Sequence, residues 1–472
     1  MCIGLAAGCN SGCSKTPQND TTPFTPLGGS VSPDRVPPPK AIPGPRVPRD
    51  LLDKDGDLVR GFEEIGAELQ LDSDRHIIGL EVDGSRITDA ALVALDRLPD
   101  LQTLDLSVDP PEKPAFTAAG LEPLRRLSKL TSLTLKHTRL GDDVLEWVHD
   151  LKQLEVLDLR DTAVTNAGLE FLRPLADLKG LLLARTAVDD AGMRFLRELP
   201  ALETLDLGAT AVTGASLDVL QDLEHLMRLQ LAAAPVTDAG LAAIAELSHL
   251  EDLFLAACVD ISPAGIEHLP RLQHLKTLDL RYTELTLPGF EKLAACPRLE
   301  VLELLDCKVT DDCLEPLGKI ATLQGLQLSD NPLGDKGLEH LASLKQLEAL
   351  GLQGTRVGDE GLKALAALPR LTGLNLTDTE VTDVGMKYLE ALPKLTVLRL
   401  RRTRIGDAGL SAVGKLHTLE TLDLVGTPVT DEGLAALGQL THLKSLDLVG
   451  TNVTKAGVEQ LGRALPMCEI WK

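Results

Sequence analysis

Aromatic residues make up 2% of this 472-residue chain, far fewer than the core of an ordinary globular domain uses. Long hydrophobic runs are missing too. No 18 consecutive apolar residues occur, which excludes a membrane-spanning helix of the usual kind. Basic charge is in deficit, with a net charge of −23. Nucleic-acid phosphates demand a basic face, so nucleic acid is not an expected partner. The acidity suits solubility and a cationic partner. Eight cysteines are present, yet none is spaced as CxxC, so neither a zinc site nor a disulfide framework is indicated. There is no Ser/His/Asp constellation, no glycine-rich phosphate loop and no HExxH. No enzyme activity, catalytic residue, cofactor or metal is therefore assigned.

What the chain does have is a repeat. Segments of the form L-x-x-L-x-L begin at Leu101, Leu130 and Leu154 and recur to Leu443. The spacing is 24 residues, apart from one step of 29 after Leu101 and one of 25 after Leu250. A degenerate unit, Ile77–Val82, precedes them, and a truncated strand, Met467–Ile470, follows. Such a length would otherwise suggest several domains, but a repeat array packs each unit only on its neighbours.

The unit Leu154–Asp177 shows the logic. Leu157 and Leu159 alternate around Asp158, as a strand requires, and point inward with Leu154. Thr165 is placed to cap a helix. Other units read Thr-Asp here, as in Thr237-Asp238, Thr382-Asp383 and Thr430-Asp431, and the aspartate falls in the first turn, where the helix dipole favours it. Gly168 removes bulk where helices meet. Leu169, Leu172 and Leu175 form the buried helical stripe. Strands stack about 4.8 Å apart and helices are wider, near 10 Å, so the sheet must line the inside of a curve. About sixteen strands would span roughly 70 Å.

The unit L-x-x-L-x-L-x-x-T-x-V-T-D-x-G-L-x-x-L-x-x-L resembles the leucine-rich repeat. It is most similar to the cysteine-containing, ribonuclease-inhibitor-like branch, and to bacterial exported proteins with the Thr-Asp-x-Gly-Leu signature. The resemblance implies an α/β solenoid, a horseshoe with parallel strands on the concave face and helices on the convex face, over residues 77–472. It implies a protein partner without naming one. It also implies that the ninth position of the unit is a ladder bonding the backbone of the turn. That column reads Thr138, Thr162, Thr186, Thr210, Ala234, Cys258, Thr283, Cys307, Asn331, Thr355, Thr379, Thr403, Thr427 and Thr451. Cys258 and Cys307 are thereby structural.

Two groups imitate metal sites. His225, His249 and His274 share one position in consecutive repeats, about 5 Å apart if stacked. Solvated turn residues fill that column elsewhere, as at Gln153, Arg298 and Lys394. Asp53, Asp55, Asp57 and Glu64 echo a calcium loop, but Leu58 stands where glycine is required and Arg60 where an apolar residue belongs. Both are read as structural or solvated.

The N-terminal region divides in three. In residues 1–13, Leu5-Ala6-Ala7-Gly8-Cys9 resembles a bacterial lipobox, and Cys9 is the candidate lipidation site. A basic leader is missing and the apolar run is short, which a start placed downstream of the true one would explain. Residues 14–50 hold ten prolines and read as a linker. Residues 51–76 read as a cap, with Leu58, Phe62, Ile65 and Leu69 at helical spacing over the open end of the solenoid. The protein is thus expected to be exported and membrane-anchored through lipidated Cys9, with no other membrane contact. If Met1 is retained it is cytoplasmic.

Binding is expected on outward strand positions. Leu182 and Phe254 stand among alanines, with Arg281 and Tyr282 just beyond, and an exposed Leu and Phe would make a shallow apolar patch. Arg399, Arg401 and Arg402 cluster farther on as a second contact, beside Asp378 and Asp423. The five-residue-longer unit between Leu106 and Leu130 carries its excess in a proline-rich loop, Asp109–Pro114. The sequence reads as a non-enzymatic protein-binding scaffold, with a bacterial cell envelope as its expected setting. The alternative is an intracellular inhibitor or adaptor of the ribonuclease-inhibitor or F-box repeat kind, although no F-box-like helical segment precedes the repeats.

Overall fold

The structure, a computed structural model, describes residues 56–472. The expectations for Cys9, for the proline-rich stretch 14–50 and for Asp53 and Asp55 lie outside those residues.

The described residues form one 18-stranded sheet. Each repeat strand is three residues long and pairs in parallel with the next, leucine beside leucine, as Leu157 beside Leu181 and Leu398 beside Leu422. Register cannot slip, because a one-residue shift would turn the buried leucine outward. The three leucines of the repeat at 154 are fully buried, and the same positions in other repeats merge into one core running along the solenoid. Short helices follow each strand. They are single 3-10 turns in several early repeats, such as Gly168–Leu172, and seven-residue α-helices from Asp359–Leu365 to Asp431–Leu437. The longer loop between Leu106 and Leu130 is exposed at Asp109–Glu112 and is pinned by buried Phe116 and by Ala115 N–H donating to Gly84 O.

The N-terminal cap differs from the expected single helix. Helix α1 (Gly56–Glu64) buries Leu58 and Phe62 against the first repeat, but it stops before Leu69. Gly66 adopts a left-handed φ of 82°, which reverses the chain. Leu69 then lies in strand β1 (Glu68–Leu71), antiparallel to β2 (Ile77–Glu81). The helical spacing of Leu58 to Leu69 therefore spans two elements.

The Thr-Asp-x-Gly signature works between repeats. Asp359 accepts the backbone N–H of Thr382 at 2.8 Å and its hydroxyl at 2.6 Å, one repeat on. The same two bonds join Asp142 to Thr165, Asp407 to Thr430 and Asp431 to Thr454. Where glycine replaces the threonine, as at Gly358 and Gly406, only the N–H bond remains. Thr237, expected to cap its own helix, makes no such side-chain bond, whereas Thr382 and Thr430 do. The glycine three residues after the threonine makes room for the staple. A Cβ on Gly385 would lie 2.4 Å from Asp359 Oδ1, and one on Gly433 would lie equally close, 2.4 Å, to Asp407 Oδ1.

The ninth-position ladder is present in two modes. Thr355 and Thr403 donate to the carbonyl three residues earlier in their own repeat, at 2.7 and 2.6 Å. Cys258, Cys307 and Asn331 reach back into the preceding repeat, to Leu231 O, Leu280 O and Leu304 O. Burial pushes the Cys258 and Cys307 thiols up to about 12, so neither is a thiolate near neutral pH. Alkylation at pH 8, mapped by mass spectrometry, is expected to mark half-buried Cys468 well before Cys258, Cys296 or Cys307. Equal labelling of Cys307 and Cys468 in the folded protein would contradict this placement.

Candidate binding site on the concave face

Parallel register places one residue per repeat in a line across the sheet. Asp158, Leu182, Asp206, Gln230, Phe254, Asp279, Glu303, Gln327, Gly351, Asn375, Arg399, Asp423, Asp447 and Trp471 occupy that line in order. Leu182, Phe254 and Arg399 therefore share one face, as their spacing predicts.

Their exposure does not follow the expectation. Leu182 and Phe254 are each only 5% exposed, and Ala256 is 8% exposed. On the inside of a curve, strands about 4.8 Å apart let side chains cover their neighbours. Phe254 lies between Gln230 and Asp279, both buried. The apolar patch is thus filled rather than open. Arg281 is also engaged, with Nε donating to Asp279 Oδ1 at 2.9 Å and Nη2 to Oδ2 at 2.6 Å. Of this group Tyr282 alone projects, 46% exposed, from a turn residue with φ of 61°.

An open depression does exist farther along. A cavity of about 190 Å³ is lined by Gln353, Asn375, Thr377, Arg399, Arg401, Arg402, Thr421, Asp423, Ser445, Asp447 and Trp471, among others. The three arginines singled out in the sequence are brought together here. Arg401 pairs with Asp423 at 3.2 Å, and Arg402 pairs with Asp378. The Asp378 carboxylate holds the Arg402 guanidinium above its usual range. These pairs explain how an arginine cluster sits in an acidic protein, and they leave the cavity amphoteric. Trp471, 43% exposed, supplies an aromatic wall. Sequence reading stopped the last strand at Ile470 and missed it. Counting 24 residues on from Asp447 reaches Trp471, so the period itself carried the signal.

The cavity offers amide and hydroxyl groups, paired charges and one ring, a lining suited to a polypeptide segment. No histidine or cysteine lines it. His249 and His274 do stack, with ring centres 6.5 Å apart, and Arg298 Nη1 approaches His274 Nδ1 at 3.2 Å. No group of three or more His, Cys, Asp or Glu among the described residues is arranged to hold a metal ion.

A family model described as a leucine-rich repeat region matches residues 148–408, more than half of the chain. The chain belongs to the leucine-rich-repeat family. A second leucine-rich-repeat model matches residues 415–438 and 439–462. Among solved structures, a leucine-rich-repeat protein of Leptospira interrogans is similar, at 21% identity over 84% of this chain and 90% of that one, with a TM-score of 0.52. An internalin of Listeria monocytogenes is also similar, at 20% identity over 89% of this chain and 96% of that one, with a TM-score of 0.40. No curated protein matches the sequence.

Proposed function

We propose that this leucine-rich-repeat protein is a non-enzymatic scaffold that binds a protein segment along its concave face, anchored at the cavity of Arg399, Arg401, Arg402 and Trp471. The observation that carries this reading is the cavity itself, an open polar and aromatic depression on the face where Leu182 and Phe254 are buried. Tyr282 marks the far end of the same contact. Phe254 and Leu182 support the surface from beneath, so Phe254→Asp would report on folding rather than on binding.

Alanine at Trp471 or Arg401 is expected to weaken partner binding about tenfold or more each, as for anchor residues of a small interface. Val384→Ala, on a helix of the convex face, should leave affinity unchanged. Calorimetry with the purified partner checks this, and equal effects at all three positions would overturn the assignment. The setting is part of the proposal: export to a bacterial cell envelope, with lipid on Cys9 and the proline-rich stretch 14–50 as spacer. The lipobox-like Leu5–Cys9 supports it. Mass spectrometry of the mature N-terminus decides, since a lipidated Cys9 fits this setting and an intact Met1 would favour the intracellular inhibitor or adaptor.

A further inference from the structure

Acidic residues on the concave face are mostly matched within the protein. Asp158 holds Arg160, Asp252 holds Arg228, Asp279 holds Arg281, Asp306 holds Lys308 and Asp423 holds Arg401. Glu303 breaks this rule. It lies mid-face, partly buried, between Asp279 on one side and Gln327 on the other, and no hydrogen bond or ion pair reaches its carboxylate among the described residues. The guanidinium whose charge reaches it, on Arg281, is already committed to both oxygens of Asp279. The carboxyl of Asp330 in a following turn is likewise pushed up by burial and by the Asp306 and Asp378 charges, with no cation opposing them among the described residues.

We infer that Glu303 is the acceptor for a cationic side chain, lysine or arginine, of the bound segment, so that the partner presents a basic stretch to the middle of the concave face. The inference rests on the concave-face reading above and adds the chemistry of the occupant. A partly buried carboxylate without a counter-ion is costly, and the simplest relief is a charge brought by a ligand. The chain's net charge of −23 has the same sign.

The electrostatics agree with the geometry. Burial first, and then the neighbouring Asp279 charge, push the Glu303 carboxyl up to about 7, with Arg281 opposing. Gln327 on the following strand is neutral. Because the folded-state value lies above the ordinary 4.5, the fold holds this proton more tightly than the unfolded chain does. That stability is fully present below about pH 4.5 and is lost as pH rises through about 7. Glu303→Gln, which keeps the neutral form at every pH, should therefore fold, and should be no less stable than the parent at pH 8. A bound cation would instead favour the charged form, so binding and deprotonation are linked.

The test uses the full chain and a labelled Gly-Ser peptide carrying three arginines, at physiological salt, with an arginine-free peptide as control. The parent should bind the basic peptide about tenfold more tightly at pH 8 than at pH 5.5, a change matching roughly one pKa unit of coupling. Glu303→Gln should bind weakly and without that pH step, while Glu459→Gln on the outer helix Lys455–Ala464 behaves as the parent. An unchanged pH step in Glu303→Gln would overturn the inference. If Tyr282→Ala and Trp471→Ala weaken the peptide while Glu303→Gln does not, the concave scaffold stands and the assignment of Glu303 falls. If none of the three matters, both fall.

Discussion

Replacing Asn331 with alanine is expected to destabilise the solenoid by about 4 kcal/mol, because several buried backbone groups lose their only partner at once. Asn331 Oδ1 accepts from the backbone N–H of Cys307 at 3.0 Å and of Val309 at 2.9 Å. Its amide nitrogen donates to Leu304 O at 2.7 Å, to Leu328 O at 2.9 Å and to Ser329 O at 3.1 Å, the last of which also accepts the Asp306 N–H. The residue is 2% exposed, so water cannot take these places without opening the turn. Thr355→Val removes a single bond within one repeat and should cost about 1 kcal/mol. Denaturant unfolding followed by hydrogen exchange checks both figures. Exchange should rise first at Cys307 and Val309, since neighbouring repeats are coupled only through their shared surface. A cost equal to that of Thr355→Val would mean that the bridge between repeats contributes little.

Gly385→Ala is expected to cost about 3 kcal/mol, although alanine is the better helix former by about 1 kcal/mol. The added methyl would meet Asp359 Oδ1 at 2.4 Å, and that oxygen cannot retreat without releasing the Thr382 N–H. The interpretation has an internal control. In an Asp359→Ala background the obstruction is gone, and Gly385→Ala should become neutral or mildly stabilising. The coupling in this double-mutant cycle is expected to be about 2 kcal/mol or more. Additive effects would show that the glycine serves some need other than the staple.

These two predictions mark what the sequence made legible. Period, strand and helix positions all follow from side-chain chemistry repeated at one spacing, and the ladder follows from the family resemblance. Leucines every two or three positions must turn inward, and the strand register confirms them residue by residue. The aspartate after the threonine was legible as a helix-start residue. Its bond to the next repeat was not, because a single unit does not reveal what lies beside it. The cap misled for a local reason, since Gly66 turns the chain within an otherwise helical pattern.

The binding face was legible in direction and less so in detail. Alternation identifies which residues leave the core, and Leu182, Phe254 and Arg399 do share the predicted face. Alternation cannot report how far curvature buries them, which depends on the neighbours one strand away. Arg399, Arg401 and Arg402 line one cavity because they are close in sequence, Arg399 ending the strand and Arg402 lying in the turn that follows with a φ of 53°. Trp471 joins them only through the sheet, and Glu303 is set apart only by its lack of a partner.

Site-specific photo-crosslinking in the producing cells tests the central claim most directly. A benzophenone side chain would replace Tyr282 or Val449, both exposed on or beside the strand face, and in parallel Val384 on the convex helices. The expected result is one partner captured from Tyr282 and Val449 and not from Val384, with Trp471→Ala reducing the yield. Capture of that partner from Val384 alone would contradict a concave binding surface.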